Sequence, residues 1–211
     1  MLASDDFNRS DRELGDDPEW IELNTSTSRN LRIENGVVIQ EAANNQHGAC
    51  IWATPCSGYE QFSEGVVGGL PDGSAFSNAI GPWINGLNVP STQPADWNGY
   101  TAQVRPSDGR VRIETAAGPM AQVAIGPITE PMFYRIESKF INDDFTISLF
   151  INGDLVTSYV DSAGPNPNAI YVGVRNSWGL GGWVDDWVGG DLGGEEPEPP
   201  LIDTSKFFHF L

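Results

Sequence analysis

Two short segments carry the side chains from which a sugar platform can be built. Pro82-Trp83-Ile84-Asn85-Gly86 and Asp96-Trp97-Asn98-Gly99-Tyr100 each set a tryptophan beside amide or acid groups. An aromatic face stacks on a sugar ring, and neighbouring amides and carboxylates bond the hydroxyls. Trp83, Asn85, Asp96, Trp97 and Tyr100 are therefore the candidate glycan contacts. The competing reading is packing, because tryptophan is usually at least partly buried. Trp178, Trp183 and Trp187 are expected to pack under the closing strand.

Other chemistries find little support. The chain has two histidines, His47 and His209, and no Cys/His spacing suited to zinc. It lacks a Gly-x-Ser-x-Gly elbow and a Gly-Lys-Ser/Thr phosphate loop. Cys50 or Cys56 could pair with His47 as a nucleophile, but small buried thiols are the simpler expectation. Two cysteines do not make a disulfide framework.

Charge narrows the partners. Asp and Glu number 29 against 11 Lys and Arg, a formal net charge of -18. Such a surface repels nucleic-acid phosphates and anionic membranes, so no nucleic-acid partner is expected. No run approaches the ~20 apolar residues that a membrane helix needs, so no membrane insertion is expected. Met1-Leu2-Ala3-Ser4-Asp5-Asp6 has neither a basic nor an apolar leader region, and synthesis in a cytosol is expected.

Whatever the chemistry, β-strands must position it. Short apolar runs are separated by glycine, proline and asparagine, and no long stretch has helical period. Asn35-Gly36, Asp108-Gly109 and Asn152-Gly153 each sit between β-prone runs and predict type I′ hairpin turns. From Met132 to Phe140 the residues Met132, Tyr134, Ile136 and Phe140 alternate with Arg135, Glu137 and Lys139. Phe145, Ile147, Leu149 and Ile151 repeat the pattern. Further strands are expected at 20–23, 49–53, 61–68, 74–84, 121–125, 169–174 and 182–190. About a dozen strands suit two packed sheets, so the fold class is all-β, an antiparallel sandwich.

The domain is expected to span residues 1–192. Residues 193–200 read as an acidic Gly/Pro linker, extended by its prolines and its charge. Residues 201–211 end in Lys206-Phe207-Phe208-His209-Phe210-Leu211. Phe207, Phe208, Phe210 and Leu211 are costly to leave in water, and they either dock on a partner or fold back on their own domain.

The order of motifs resembles the concanavalin A-like lectin/glucanase superfamily, including laminin-G-like domains. The residues that carry the resemblance are Asp5-Asp6-Phe7-Asn8-Arg9-Ser10-Asp11, Trp20, the hairpin Leu31 to Val38 and Phe62-Ser63-Glu64-Gly65-Val66-Val67. Leu149-Phe150-Ile151-Asn152-Gly153 and Val184-Asp185-Asp186-Trp187-Val188-Gly189-Gly190-Asp191-Leu192 complete the order. The resemblance implies a two-sheet jelly roll with its first and last strands paired. No cofactor is required, but the resemblance also implies a place for one structural Ca2+ where those strands meet, near Asp5, Asp6, Asp185 and Asp186, the alternative being solvated acids that cap strand ends. Related glucanases carry Glu-x-Asp-x-x-Glu on one strand. Here no glutamate is followed by aspartate two positions on, so no catalytic residues are assigned and no enzyme is expected.

The form of the chain is similar to domains on bacteriophage virion proteins. That implies a structural protein of the virion (a capsid decoration, head fibre or minor tail protein), assembled in the host cytoplasm. Its partners would be other virion proteins and further copies of itself, with residues 201–211 as the anchor. A carbohydrate-binding module is the alternative, and a divergent glycoside hydrolase the weaker one.

Overall fold

The computed structural model describes residues 1–23, 31–40, 47–68, 80–91, 98–105, 109–115, 117–126, 131–177 and 182–193. Sixteen strands, β1 to β16 in chain order, form two antiparallel sheets, with one 3-10 turn at Leu14–Asp16.

The nine-stranded sheet contains β1 (Leu2–Asp5), β2 (Arg12–Glu13), β4 (Leu31–Glu34), β5 (Val37–Gln40) and β7 (Gln61–Gly68). It is completed by β12 (Met132–Ile141), β13 (Asp144–Ile151), β14 (Asp154–Val160) and β16 (Trp183–Asp191). Its order is β14-β13-β12-β7-β16-β5-β4-β2, and β1 also pairs with β16. The seven-stranded sheet contains β3 (Trp20–Glu22), β6 (His47–Trp52), β8 (Ile80–Gly86), β9 (Tyr100–Arg105), β10 (Arg110–Thr115), β11 (Gly118–Ala124) and β15 (Tyr171–Ser177). Its order is β11-β10-β9-β8-β15-β6-β3.

Alternation explains the layers. Tyr134, Ile136, Ile147 and Leu149 point into the core between the sheets, together with Val111, Ile113, Val172 and Val174 from the other side. On the opposite face of the nine-stranded sheet, Glu64, Arg135, Glu137 and Lys139 form a chain of ion pairs, and Arg135 lies 4.4 Å above the Phe62 ring centroid. Phe140 departs from the burial of its face: it is 44% exposed, edge-on to Tyr59 and tilted against Phe145. Trp187 links the layers. Its indole N–H donates to the Ser63 hydroxyl at 2.9 Å and to the Gly173 carbonyl at 3.2 Å. Trp20 and Trp52 pack on it with centroids 4.8 and 5.6 Å away.

The hairpin turns form as their sequences require. Asn35 and Gly36 take φ of 53° and 79°, and Asn152 and Gly153 take 50° and 88°. Gly109 takes 63° between β9 and β10, while Asp108 is outside the described residues. A further turn, Asn142-Asp143 at 51° and 70°, joins β12 to β13 without a glycine. The strand expected at 74–84 begins at Ile80, and residues 74–79 are outside the described set. The first and last strands pair as expected, Leu2 with Gly190 and Asp5 with Trp187. Strand β16 closes at Asp191, and the proposed linker and tail, from residue 194 on, lie outside the described residues.

Candidate functional site

The seven-stranded sheet turns one face to the core and the other away from it. On β9, Ala102 is a core residue, so its neighbours Thr101 and Gln103 take the outward face. The same alternation places Arg112 and Glu114 of β10, Trp83 of β8 and Arg175 of β15 on that face. Register gathers them into two rows. Gly173, Trp83, Thr101 and Glu114 stand opposite one another across four strands. In the adjacent row Arg175 stands opposite Gly81, and Gln103 stands opposite Arg112. Glycines 81 and 173 contribute no side chains, which leaves the tryptophan and the arginines to fill the face.

These groups are polar yet buried, and their hydrogen bonding is uneven. Arg112 is satisfied: it donates to the Gln103 carbonyl at 3.0 and 3.2 Å and pairs with the Glu114 carboxylate at 2.5 Å. Arg175 is not. It is 1% exposed, and its Nε, Nη1 and Nη2 all lack hydrogen-bond partners. Its guanidinium carbon stands 6.0 Å from the Trp83 ring centroid, a weak compensation for lost water. Burial pulls its pKa down to about 10, with the nearby Glu114 charge acting in the other direction. The Trp83 indole N–H and the Thr101 hydroxyl on the same face are also buried without partners. A buried polar group left unbonded costs about 1–3 kcal/mol, more if charged, and this face holds three such residues together.

Among the described sugar-platform residues, Trp83 is thus the one that alternation places on this face. It is fully buried, packed with Leu23, Ala49 and Ile51, so it is a wall rather than a displayed stacking surface. Asn85 is buried, and its Oδ1 has no hydrogen-bond partner among the described residues. At φ 53° its backbone N–H donates to the Gln61 side-chain carbonyl at 2.9 Å and its amide to the Tyr59 carbonyl at 3.0 Å. Tyr100 faces the core, and its hydroxyl donates to Asp161. Burial and that bond push its phenol above the ordinary range. Asp96 and Trp97 lie outside the described residues. Arg112, Glu114, Thr101, Gln103 and Arg175 were not singled out from the sequence. Their signal is the alternation of polar residues with Ala102, Val111, Ile113 and Val174, which reads equally as a solvated face.

The four acids expected around calcium are not gathered into one cluster among the described residues. The Asp5 carboxylate is fully committed: it accepts from Arg9 at 2.5 and 2.7 Å, from the Trp20 indole at 2.8 Å and from the Phe7 backbone at 2.8 Å. Asp6 accepts from the backbone and side-chain amides of Asn8. Asp185 is buried and accepts from the Asp186 backbone N–H, and Asp186 occupies a left-handed position, φ 48°, at the bulge of β16. Among the described residues no three His, Cys, Asp or Glu side chains gather as a metal site. Strand pairing brings the backbones together, but Asp5 spends its oxygens on Arg9 and Trp20. Cys50 and Cys56 are free buried thiols, as expected, with Cys50 donating to Glu22 at 3.4 Å.

No family model and no curated protein matches the sequence. Solved structures do match. A Bacillus subtilis protein of unknown function with a galectin-like fold is 10% identical, covering 90% of this chain and 97% of its own, with a TM-score of 0.59. The exoplasmic/lumenal domain of VIP36, bound to Ca2+ and mannose, is 10% identical, covering 86% of each chain, with a TM-score of 0.55. Basic winged bean lectin with Tn-antigen is 12% identical, covering 90% of this chain and 98% of its own, with a TM-score of 0.56. At such identities the likeness shows the fold, a two-sheet jelly roll of the galectin-like and legume-lectin type.

Proposed function

We propose that this jelly roll is a glycan-binding domain whose binding face is the outward side of the seven-stranded sheet around Trp83, Thr101 and Arg175. One observation carries the reading: three buried polar residues on a single sheet face, Trp83, Thr101 and Arg175, have no hydrogen-bond partner among the described residues. A polyhydroxylated ligand offers oxygens that accept from the guanidinium and the indole N–H, and hydroxyls that pair with the threonine. The likeness to lectins solved with mannose and with Tn-antigen supports the same class of ligand. We read the role as binding rather than hydrolysis. Among the described strand residues of this face Glu114 is the single carboxylate, it is held by Arg112, and glycoside hydrolysis uses two.

The test is a glycan array with the full chain, followed by calorimetry of the hits with the wild type and Thr101→Val. The variant keeps the side-chain shape and removes an unsatisfied hydroxyl. It is expected to be as stable as the wild type or more so, and to bind more weakly by about 1 kcal/mol. An array without saturable binding sinks the reading, and unchanged affinity in the variant removes Thr101 from the site.

The virion role, its protein partners, the homo-oligomer and the anchoring tail remain a proposal from the sequence, with Phe207, Phe208, Phe210 and Leu211 outside the described residues.

A further inference from the structure

Resting on the glycan-binding reading, we infer that the ligand is an acidic glycan whose negatively charged group is received by the Arg175 guanidinium. Neutral sugars satisfy the indole and hydroxyl of this face, but they leave a buried guanidinium, which feels the Glu114 charge at a distance, without an anion hydrogen-bonded to it. Arg112, on the same face, shows the contrast. Arg112 has both a carboxylate and an amide partner, Glu114 and Gln103. Arg175 has a ring centroid 6.0 Å away and no hydrogen bond on any of its three nitrogens.

A planar guanidinium presents paired N–H groups that match two oxygens of a carboxylate or sulfate, and such bonds are about twice as strong as neutral ones. Gly81 stands opposite Arg175 on β8 and places no side chain beside it, and Ala49 opposite it on β6 places only a methyl group. The charge is therefore flanked by small residues on both neighbouring strands. Long-range charge works against this ligand, since the chain carries a net -18. Recognition of an acidic sugar must then come from a local, dry positive group, which is stronger there than in water. Because the guanidinium is 1% exposed, a ligand must uncover it to bind, and the measured affinity would include that cost.

The experiment is calorimetry of the full chain against three probes of similar length: oligogalacturonate, a sulfated galactan oligosaccharide and a neutral galactan oligosaccharide. Wild type is expected to prefer at least one acidic probe by about tenfold or more. The carboxylated and sulfated arms tell which anion is received. Arg175→Met, which replaces an unpaired buried ion with an apolar chain of similar length, is expected to fold with unchanged or raised Tm and to lose the preference. Arg175→Lys keeps the charge without the fork and is expected to retain part of it. Equal binding of acidic and neutral probes overturns the inference and leaves the glycan reading standing. A preference that survives in Arg175→Met overturns the assignment to that residue. Binding of none of the probes by wild type, whose array hits are all neutral sugars, overturns the inference alone. An empty array overturns both.

Discussion

The Trp83 indole lies against Gly99 so closely that a Cβ on that glycine would fall 2.3 Å from Nε1 and 2.4 Å from the Ile84 carbonyl oxygen. Gly99 also takes φ +78°, following Asn98 at 54°. The turn before β9 and the wall of the candidate site are therefore one construction. Gly99→Ala adds left-handed strain to an overpacked indole and is expected to destabilise the protein by about 2–4 kcal/mol. The shift in urea midpoint at constant slope measures it. A shift of a few tenths of a kcal/mol would mean that Trp83 is free to move off the turn.

Alkaline pH should unfold the domain in a defined window. Burial, assisted by Glu22, pushes the Cys50 thiol well up, and burial with Asp191 nearby pushes Cys56 up to about 12. Unfolded thiols lose their protons near pH ~8.5, whereas the folded ones keep them. The unfolded state then binds fewer protons, so stability falls as pH rises, by up to about 1.4 kcal/mol per unit for each thiol. The contribution is fully present below about pH 8.5 and is gone once the folded value is passed. Urea midpoints from pH 7 to 11 should decline for the wild type, and less steeply for Cys56→Ala. Equal slopes would exclude the thiol as the cause.

Calcium should leave the fold untouched. The Asp5 carboxylate holds Arg9 and Trp20, and Arg9 also pairs with Asp17. Thermal melts with millimolar Ca2+ and with chelator are expected to coincide within about 1 °C, because an ion that does not bind the native state cannot stabilise it. A rise of several degrees would show that the acids regroup around the ion. Asp5→Asn, by contrast, should lower stability by about 1–3 kcal/mol, since it weakens a partly buried pair and an indole acceptor together.

The tail proposed for assembly is tested by mass in solution. Residues 1–192 retain every described strand, β16 ending at Asp191, and are expected to remain folded. Equilibrium sedimentation of that fragment beside the full chain reads the tail's role. A defined oligomer formed by the full chain alone supports docking through Phe207, Phe208, Phe210 and Leu211. Identical monomers would remove the anchoring idea.

The sandwich was legible because its signals are local. Asn-Gly pairs with positive φ, and strict alternation from Met132 to Ile151, specify hairpins without any knowledge of the rest of the chain. Asn142-Asp143 escaped because it makes a positive-φ turn from two residues that are merely tolerant of it. The site was less legible because it is non-local. Arg175 meets Trp83 only through strand order, with β15 beside β8, and nothing in the run Val172 to Asn176 marks its arginine as unbonded. Asn85 and Tyr100 look like sugar contacts by type, and the sequence does not show that Tyr59 takes the Asn85 amide N–H and Asp161 the Tyr100 hydroxyl from distant parts of the chain. The surroundings of Asp5 were legible only in part: Arg9 is four residues away, whereas the Trp20 indole that also bonds it comes from another strand.

The placement of β16 bears on how the chain can come into being. The last strand runs between β7 and β5 in the interior of its sheet and also holds β1. A chain emerging from the ribosome can assemble its hairpins early, but its larger sheet stays divided until residues 183–191 arrive. Until then β7 and β5 present unpaired edges, the usual templates for aggregation. Maturation should thus be slow, dominated by contacts distant in sequence, and any nascent chain stalled before Trp183 becomes a client for chaperones rather than a partly working domain.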